Sequence, residues 1–320
     1  MSKVVIVGAG LVGSTIAYAL MLGGTAKEIV LLDRIEEKAR TEAMDLNHCA
    51  SFVRPVRIKS GGYEECSNAD IVIVTAGAPQ KPGQTRLELV DINTRIIKQI
   101  VESTMAYTKE IILLIVTNPV DVMSYIAWKI SGLPSSKVFG SGTVLDTSRF
   151  RHILSSRCQL DPRNMHAYVV GEHGDSEVPL WSTANVAGVS MDIFCADCHD
   201  LCSQEGRDEI SYQVRRSAYE IIEGKGATYF AISLAVQRIV ESILRDEHSV
   251  LTVSTLLENV YGIDKLYLSF PCVLGRNGVE RVLPLEMSPD EEEQFLRSAQ
   301  VVEESIPSQI KMAGNNVPAM

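Results

Sequence analysis

The 320-residue sequence predicts an α/β fold, with a parallel sheet in its N-terminal half and an α+β domain in its C-terminal half. Two observations support this fold class. In the first half, short runs rich in valine and isoleucine alternate with amphipathic helical segments, which is typical of right-handed βαβ units. In the second half, long helical segments precede strands of antiparallel character. This change of rhythm predicts a boundary near residues 140–143, and therefore domains at 1–142 and 143–320.

The individual elements follow from the same patterns. In the first half, the buried-strand and helical patterns predict strands at 4–7, 28–32, 71–75 and 111–116 and helices at 11–22, 36–47 and 87–107. In the second half, they predict strands at 166–170, 249–257, 266–274 and 279–283 and helices at 208–223 and 228–245. Asn277-Gly278 between the last two strands is a strong hairpin signal. Ser288-Pro289 before four acids predicts the first turn of another helix, because acids interact favourably with a helix N-terminus.

Composition excludes several classes of function. The net charge is −10 and no basic stripe is interleaved with aromatic residues, so nucleic acid is not an expected partner. No apolar run approaches the ~18 residues that span a membrane. The absence of an export signal and the seven scattered cysteines predict a cytoplasmic protein with free thiols. The segment 195–199 matches a c-type haem attachment pattern, with Cys202 following, but a cytoplasmic chain predicts neither haem nor a metal site here.

A glycine-rich segment, Gly8-Ala9-Gly10-Leu11-Val12-Gly13, follows the first strand and opens a helix. The first glycine permits a tight turn, the second lets the backbone approach a pyrophosphate, and the third lets helix and strand pack closely. Asp33 ends the next predicted strand twenty residues after Gly13, where a carboxylate can hold ribose hydroxyls and repel a 2′-phosphate. The sequence therefore predicts a Rossmann dinucleotide site that prefers NAD to NADP, although Arg34 could serve a phosphate.

A candidate acid–base residue, His173, lies between Gly171 and Gly174 after a predicted buried strand. A histidine can exchange a proton near neutral pH, but a structural histidine in a tight turn is the alternative. Asp146 and Arg149 are three residues apart and share a helix face. Asp146 could orient His173 and Arg149 could bind a substrate carboxylate, while a surface ion pair is the alternative.

The segment 78–86 contains two prolines, a glycine and no apolar anchor, which is typical of a surface loop. The functional interpretation is a lid that closes over substrate and brings Arg86 to a polarised carbonyl. The alternative is a connecting loop without a catalytic role.

Together these features resemble the lactate/malate dehydrogenase family, and within it the bacterial L-lactate dehydrogenases. The resemblance covers essentially the whole chain, and its motifs occur in the family's order, with 24 residues from Arg149 to His173. The matching segments are 8–13, 75–78, 80–86, 117–121, 145–149 and 171–177.

The resemblance implies a reversible, NADH-dependent reduction of pyruvate to L-lactate. It implies that His173 donates and accepts the proton, that Asp146 orients it, that Arg149 binds the substrate carboxylate and that Arg86 polarises the carbonyl. The substrate side is implied to include Gln80, Asn118, Asp121 and Thr228. A cis Asn118–Pro119 peptide is also implied. The NAD groove is implied to consist of Gly8, Gly10, Val12, Gly13, Asp33, Lys38, Tyr63, Gly77, Ala78, Val116, Thr117, Asn118 and Ser141.

Gln80 favours pyruvate among the family's substrates. Oxaloacetate needs a cation here for its second carboxylate, and burying an unpaired carboxylate costs several kcal/mol. A neutral amide suffices beside the methyl group of pyruvate. Lys81 is the rival cation, although adjacent residues usually point apart. Malate dehydrogenase activity and a preference for bulkier 2-oxo acids, as in hydroxyisocaproate dehydrogenases, remain the alternatives.

Regulation and assembly are further implications of the resemblance. Arg151 and His166 match positions where bacterial relatives bind fructose 1,6-bisphosphate between subunits, and the family suggests a homotetramer. Solvated surface residues are the alternative at these two positions. A non-catalytic NAD-binding sensor is the alternative for the whole chain, but it would not need His173, Asp146 and Arg149 together with Arg86.

Overall fold

The structure, a computed structural model, describes residues 2–79, 86–194 and 203–312, without the side chains of Arg86 and Met312. The predicted lid residues 80–85 and the haem-like segment 195–199 lie outside the described residues. The strands are β1 (Lys3–Val7), β2 (Glu28–Leu32), β3 (Arg57–Ser60), β4 (Ile71–Val74), β5 (Ile112–Ile115), β6 (Val138–Gly140), β7 (Met165–Val170), β8 (Val178–Val186), β9 (Val189–Ser190), β10 (Ser249–Val260), β11 (Ile263–Gly275) and β12 (Gly278–Val282). The helices are α1 (Leu11–Gly23), α2 (Glu36–His48), α3 (Arg86–Met105), α4 (Val120–Ser131), α5 (Val144–Cys158), α6 (Met191–Phe194), α7 (Gln204–Lys225), α8 (Phe230–Arg245), α9 (Pro289–Ser305) and α10 (Ser308–Met312).

The first six strands form a parallel sheet in the spatial order β3-β2-β1-β4-β5-β6. This order is that of a dinucleotide-binding Rossmann sheet, and the direction of chain connection reverses between β1 and β4. Successive side chains of β1 enter the cores on opposite faces, with Val5 and Val7 on one side and Val4 and Ile6 on the other. Burial on both faces explains why these strands are continuous apolar runs.

The C-terminal half extends this sheet and adds a smaller one. β10 pairs with β6 through Ser254 and Gly140, and β11 and β12 follow in antiparallel order. β7, β8 and β9 form a separate antiparallel sheet, which Gly171 ties to Ser269 of β11. The predicted fold class is thereby confirmed. The predicted boundary falls between β6 and α5, within a sheet to which both halves contribute strands, and it stays a prediction.

Local signals predicted some elements well and missed others. The Asn277-Gly278 hairpin is present, and Ser288 caps α9 in a capping box with Glu291. β3, α4, β6 and β8 were not predicted from the sequence patterns. α4 lacked a signal because residues on all sides of it are buried, which removes the polar face that reveals a helix. None of the helices in the described ranges is long and apolar enough to span a bilayer.

Candidate active site

The glycine-rich turn after β1 has a backbone that other residues could not adopt. Gly8 has a φ of +113°, and a Cβ there would lie 2.6 Å from Thr75 Oγ1. A Cβ on Gly13 would lie 1.8 Å from the carbonyl oxygen of Gly8. These contacts are shorter than van der Waals separation, so both positions require glycine. The turn therefore brings α1 close to β1 and β4, as the predicted phosphate site needs.

Asp33 and Lys38 lie at the mouth of this turn. Asp33 Oδ2 accepts a hydrogen bond from the backbone N–H of Ala9 at 2.9 Å, so the carboxylate is fixed beside the turn. Lys38 Nζ lies 4.0 Å from the position that a Cβ on Gly10 would occupy. Among the described residues, no side chain caps α1 at Gly10. The N–H groups of a first helical turn and the ammonium of Lys38 are the kinds of donor that a pyrophosphate would need at the predicted site.

Asn93, whose role was not predicted from the sequence, contacts two segments that contain predicted groove residues. Its Oδ1 accepts from the N–H of Ala78 at 2.7 Å, and its Nδ2 donates to the carbonyl of Asn118 at 2.7 Å. The side chain thus joins the ends of β4 and β5. A Cβ on Gly77 would lie 2.4 Å from Thr117 Cγ2, so these two segments are closely packed. The sequence signal that could have identified Asn93 is an asparagine at a position of the apolar stripe of α3, and the structure shows that this residue is buried.

The remaining predicted groove residues lie on elements around this edge of the sheet. Ser141 follows β6 and donates its N–H to Ile115 at 2.8 Å. Asn118 is exposed at the end of β5, and the Asn118–Pro119 peptide is cis, as predicted. Val12, Tyr63 and Val116 are half-buried. The segments that follow β1, β4, β5 and β6 therefore all reach the carboxyl edge of the sheet, where ligands of this fold bind.

The candidate catalytic pair is formed by His173 and Asp146. His173 Nδ1 lies 2.6 Å from Asp146 Oδ2, and Asp146 is only 1% exposed. The other carboxylate oxygen of Asp146 accepts from Arg149 Nη1 at 2.7 Å. A buried carboxylate shared by an imidazole and a guanidinium is not a surface ion pair, so this alternative for Asp146 and Arg149 does not fit the structure.

The charges of this cluster control its protonation. Burial lowers the pKa of His173, but the charge and hydrogen bond of Asp146 outweigh burial, and the charges of Glu177 and Asp121 add to them. Together they raise the pKa of His173 to about 9. Burial likewise raises the pKa of Asp146, but His173 and Arg149 outweigh it, and the net pKa is lowered. We therefore expect an imidazolium–carboxylate pair at neutral pH.

Asp121 lies behind His173. Its Oδ2 accepts from the His173 backbone N–H at 2.8 Å, and its Oδ1 accepts from the Ser254 hydroxyl at 2.6 Å. The side chain is 2% exposed. This position favours support of the His173 backbone over the substrate contact that the resemblance implies, because both oxygens are already bonded within the protein.

The other predicted site residues are placed less directly. Thr228 is half-buried in the connection between α7 and α8. Arg86 is the first residue of α3, and Gln80 lies outside the described residues. Of the candidate effector residues, Arg151 donates through Nε to the carbonyl of Ala167 at 2.9 Å, whereas His166 is exposed.

The chain belongs to the lactate/malate dehydrogenase family. Residues 2–140 match the family's NAD-binding domain, and residues 143–312 match its α/β C-terminal domain. Within the family, the chain is 54% identical to an L-lactate dehydrogenase of Acetivibrio thermocellus over 297 residues, which is 93% of each chain. It is 50% identical to L-lactate dehydrogenase 1 of Clostridium acetobutylicum over 307 residues, 96% of this chain and 98% of the relative.

Solved structures agree with this placement. A lactate dehydrogenase from a Medee basin deep-sea metagenome library is 44% identical, with a TM-score of 0.92 over 95% of this chain and 97% of the other. The minor L-lactate dehydrogenase of Enterococcus mundtii, in a ligand-bound form, is 42% identical with the same TM-score and coverage. The predicted resemblance and the predicted use of NAD by a dehydrogenase are thereby confirmed.

Proposed function

We propose that the chain catalyses the reversible, NADH-dependent reduction of pyruvate to L-lactate. The observation that carries this proposal is the contact of the buried Asp146 carboxylate with both His173 and Arg149, beside the predicted cofactor groove. Asp121 contacts the His173 backbone and lies only three residues beyond Asn118 of the predicted groove. The proposed proton donor is therefore close to the proposed cofactor site. The names of the relatives support lactate dehydrogenase activity independently.

The side chains have separate roles in the proposed reaction. NADH, when bound, supplies the hydride to the carbonyl carbon of the substrate. Arg149 binds the substrate carboxylate through its planar guanidinium. His173 donates its proton to the carbonyl oxygen as negative charge develops there, and Asp146 stabilises the imidazolium before that transfer. Arg86 is proposed to polarise the same oxygen when the segment 80–86 closes and excludes water.

Gln80 is proposed to select pyruvate over oxaloacetate, because a neutral amide cannot neutralise a second substrate carboxylate. A spectrophotometric assay of NADH oxidation with pyruvate, oxaloacetate and 2-oxoisocaproate tests this selection. We expect the highest kcat/KM with pyruvate, and a gain for oxaloacetate in Gln80→Arg. Higher activity of the wild type on oxaloacetate would contradict the substrate assignment, and no activity on any of the three would favour the non-catalytic sensor.

The two directions of the reaction should have opposite pH dependences. Pyruvate reduction needs protonated His173, so its rate should fall as the pH rises through about 9, the pKa of this residue. Lactate oxidation needs the neutral imidazole, so its rate should rise over the same range. Parallel pH profiles in both directions would contradict the role of His173.

Fructose 1,6-bisphosphate is proposed to bind near Arg151 and His166 in a cytoplasmic homotetramer. One cationic and one titratable side chain can bind a phosphate, and both residues belong to the segment from α5 to β7. Pyruvate saturation with and without the bisphosphate tests activation, and light scattering tests the tetramer. An unchanged apparent pyruvate affinity would contradict activation.

A further inference from the structure

Glu177 is a buried carboxyl group that the proposed reaction does not use. It immediately precedes β8, in the same turn that carries His173, and it is 4% exposed. Its Oε1 is buried and has no hydrogen-bond partner among the described residues. A buried polar atom without a partner is costly and therefore requires an explanation.

The carboxyl group lies next to the catalytic pair. One oxygen each of Glu177 and Asp146 and a ring nitrogen of His173 all lie within 4.8 Å of one another. At this separation and burial, two charges interact strongly. The interaction with His173 is attractive when both groups are ionised, and the interaction with Asp146 is repulsive.

The charged groups around this cluster come from four elements. His173 faces Asp146 of α5, Asp121 of α4 and Glu177 of its own turn. Glu177 faces Asp146 and His173, and also Arg149 of α5 and Arg215 of α7. The two arginines favour an ionised Glu177, whereas burial and Asp146 favour a protonated one. Burial and Asp146 prevail over the nearby cations, so Glu177 keeps its proton to higher pH than an exposed glutamate does.

Glu291, another buried acid of the chain, differs from Glu177 because hydrogen-bond donors surround it. Glu291 accepts hydrogen bonds from the N–H groups of Trp181 and Ser182 at 2.7 and 3.0 Å. Burial raises the pKa of Glu291, but its hydrogen bonds outweigh burial and the net pKa is lowered. Burial raises the pKa of Glu177 well above its usual range, with the charge of Asp146 adding to the effect. Glu291 is thus a fixed structural anion, and Glu177 is a group that can exchange a proton.

We propose that Glu177 is a positioning residue whose charge sets the pH range in which His173 keeps its proton for pyruvate reduction. As the pH rises, Glu177 ionises, and the new negative charge strengthens the hold of the cluster on the imidazolium. The alkaline limit of pyruvate reduction is thereby extended. The inference rests on the proposed role of His173 as the proton donor.

Glu177→Gln tests the proposal, because it removes the titratable charge and keeps the size of the side chain. The readout is the alkaline limb in the pH profile of kcat/KM for pyruvate. We expect its midpoint to fall by at least about half a pH unit, since loss of a nearby negative charge makes the imidazolium easier to deprotonate. Glu177→Asp, which retains a carboxyl group, should shift the limb less.

Glu291→Gln is the matched control. It alters another buried carboxyl group, so it should lower the melting temperature without moving the limb. A limb in Glu177→Gln that coincides with that of the wild type would overturn the proposal, as would an equal shift in the control. If Glu177→Gln fails to fold, Glu177→Met decides, because it also removes the charge at a similar side-chain length, and an unmoved limb there overturns the proposal. An inactive wild type would instead contradict the proposed function.

Discussion

The cofactor groove and the catalytic cluster are neighbours built on different principles. The groove depends mainly on the absence of side chains, since a Cβ on Gly8 would clash with Thr75 Oγ1 and a Cβ on Gly13 would clash with the carbonyl oxygen of Gly8. The cluster is shaped by buried charges, since Asp146 holds His173 and Arg149 on its two oxygens. The first depends on steric fit and the second on electrostatics, so a substitution in one region should leave the function of the other largely intact.

Among substitutions that leave His173 and Asp146 in place, the largest effect on this comparison is expected from Arg149→Met in the cluster. The variant removes the group proposed to bind the substrate carboxylate and leaves Asp146 with one partner fewer. We expect kcat/KM for pyruvate to fall about 100- to 1000-fold, because a buried ionic partner is lost. NADH affinity, measured by fluorescence titration, should change little. An equal loss of NADH affinity would show that the two regions are not separable.

Gly13→Ala tests the groove, and here the main loss is expected in NADH binding. The added Cβ would lie 1.8 Å from the Gly8 carbonyl oxygen, so helix and strand must move apart. We expect NADH affinity to fall about tenfold or more, and the free energy of unfolding to fall by about 1–3 kcal/mol from overpacking. Denaturant unfolding and NADH titration measure the two effects. Unchanged NADH binding would contradict the assignment of this turn to the phosphate site.

A smaller effect is expected from Asn93→Ala. This variant tests whether the contacts of Asn93 with the segments after β4 and β5 support NADH binding. The change leaves the N–H of Ala78 and the carbonyl of Asn118 without their partner, at a cost of about 1–3 kcal/mol. NADH affinity should fall by a few-fold. Thr104→Val is the matched control on α3, because the buried Thr104 hydroxyl bonds to the carbonyl of Ile100 in its own helix, about three turns beyond Asn93. An equal loss of NADH affinity in both variants would contradict a specific role of Asn93 in NADH binding.

The difference between the regions also explains what the sequence could predict. The groove depends on a short local motif at residues 8–13 and on Asp33, so its chemistry is visible in consecutive residues. The His173–Asp146 pair, 27 residues apart, could be inferred from residue chemistry and the family resemblance. The hydrogen-bond partners of the Asp121 carboxylate could not be inferred, because Ser254 and His173 lie far from it in the sequence.

Elements without a periodic signal were missed for a related reason. α4 is buried on all sides, and β6 has only three residues, so neither shows a polar face or a sustained alternation. The sequence shows that Asn93 and Glu177 are polar but not that they are buried, nor which atoms they contact. The partners of Asn93, and the lack of a described partner for Glu177 Oε1, depend on packing between elements that are distant in sequence.

The separation of cofactor binding from proton chemistry is tested most directly by paired measurements on Asp146→Asn. An amide keeps the shape of the side chain but removes the charge that stabilises protonated His173. We predict an NADH Kd within about twofold of the wild type and a kcat/KM for pyruvate lower by about a thousandfold or more. A kcat/KM close to that of the wild type, or a loss of NADH binding as large as the loss of activity, would contradict the account.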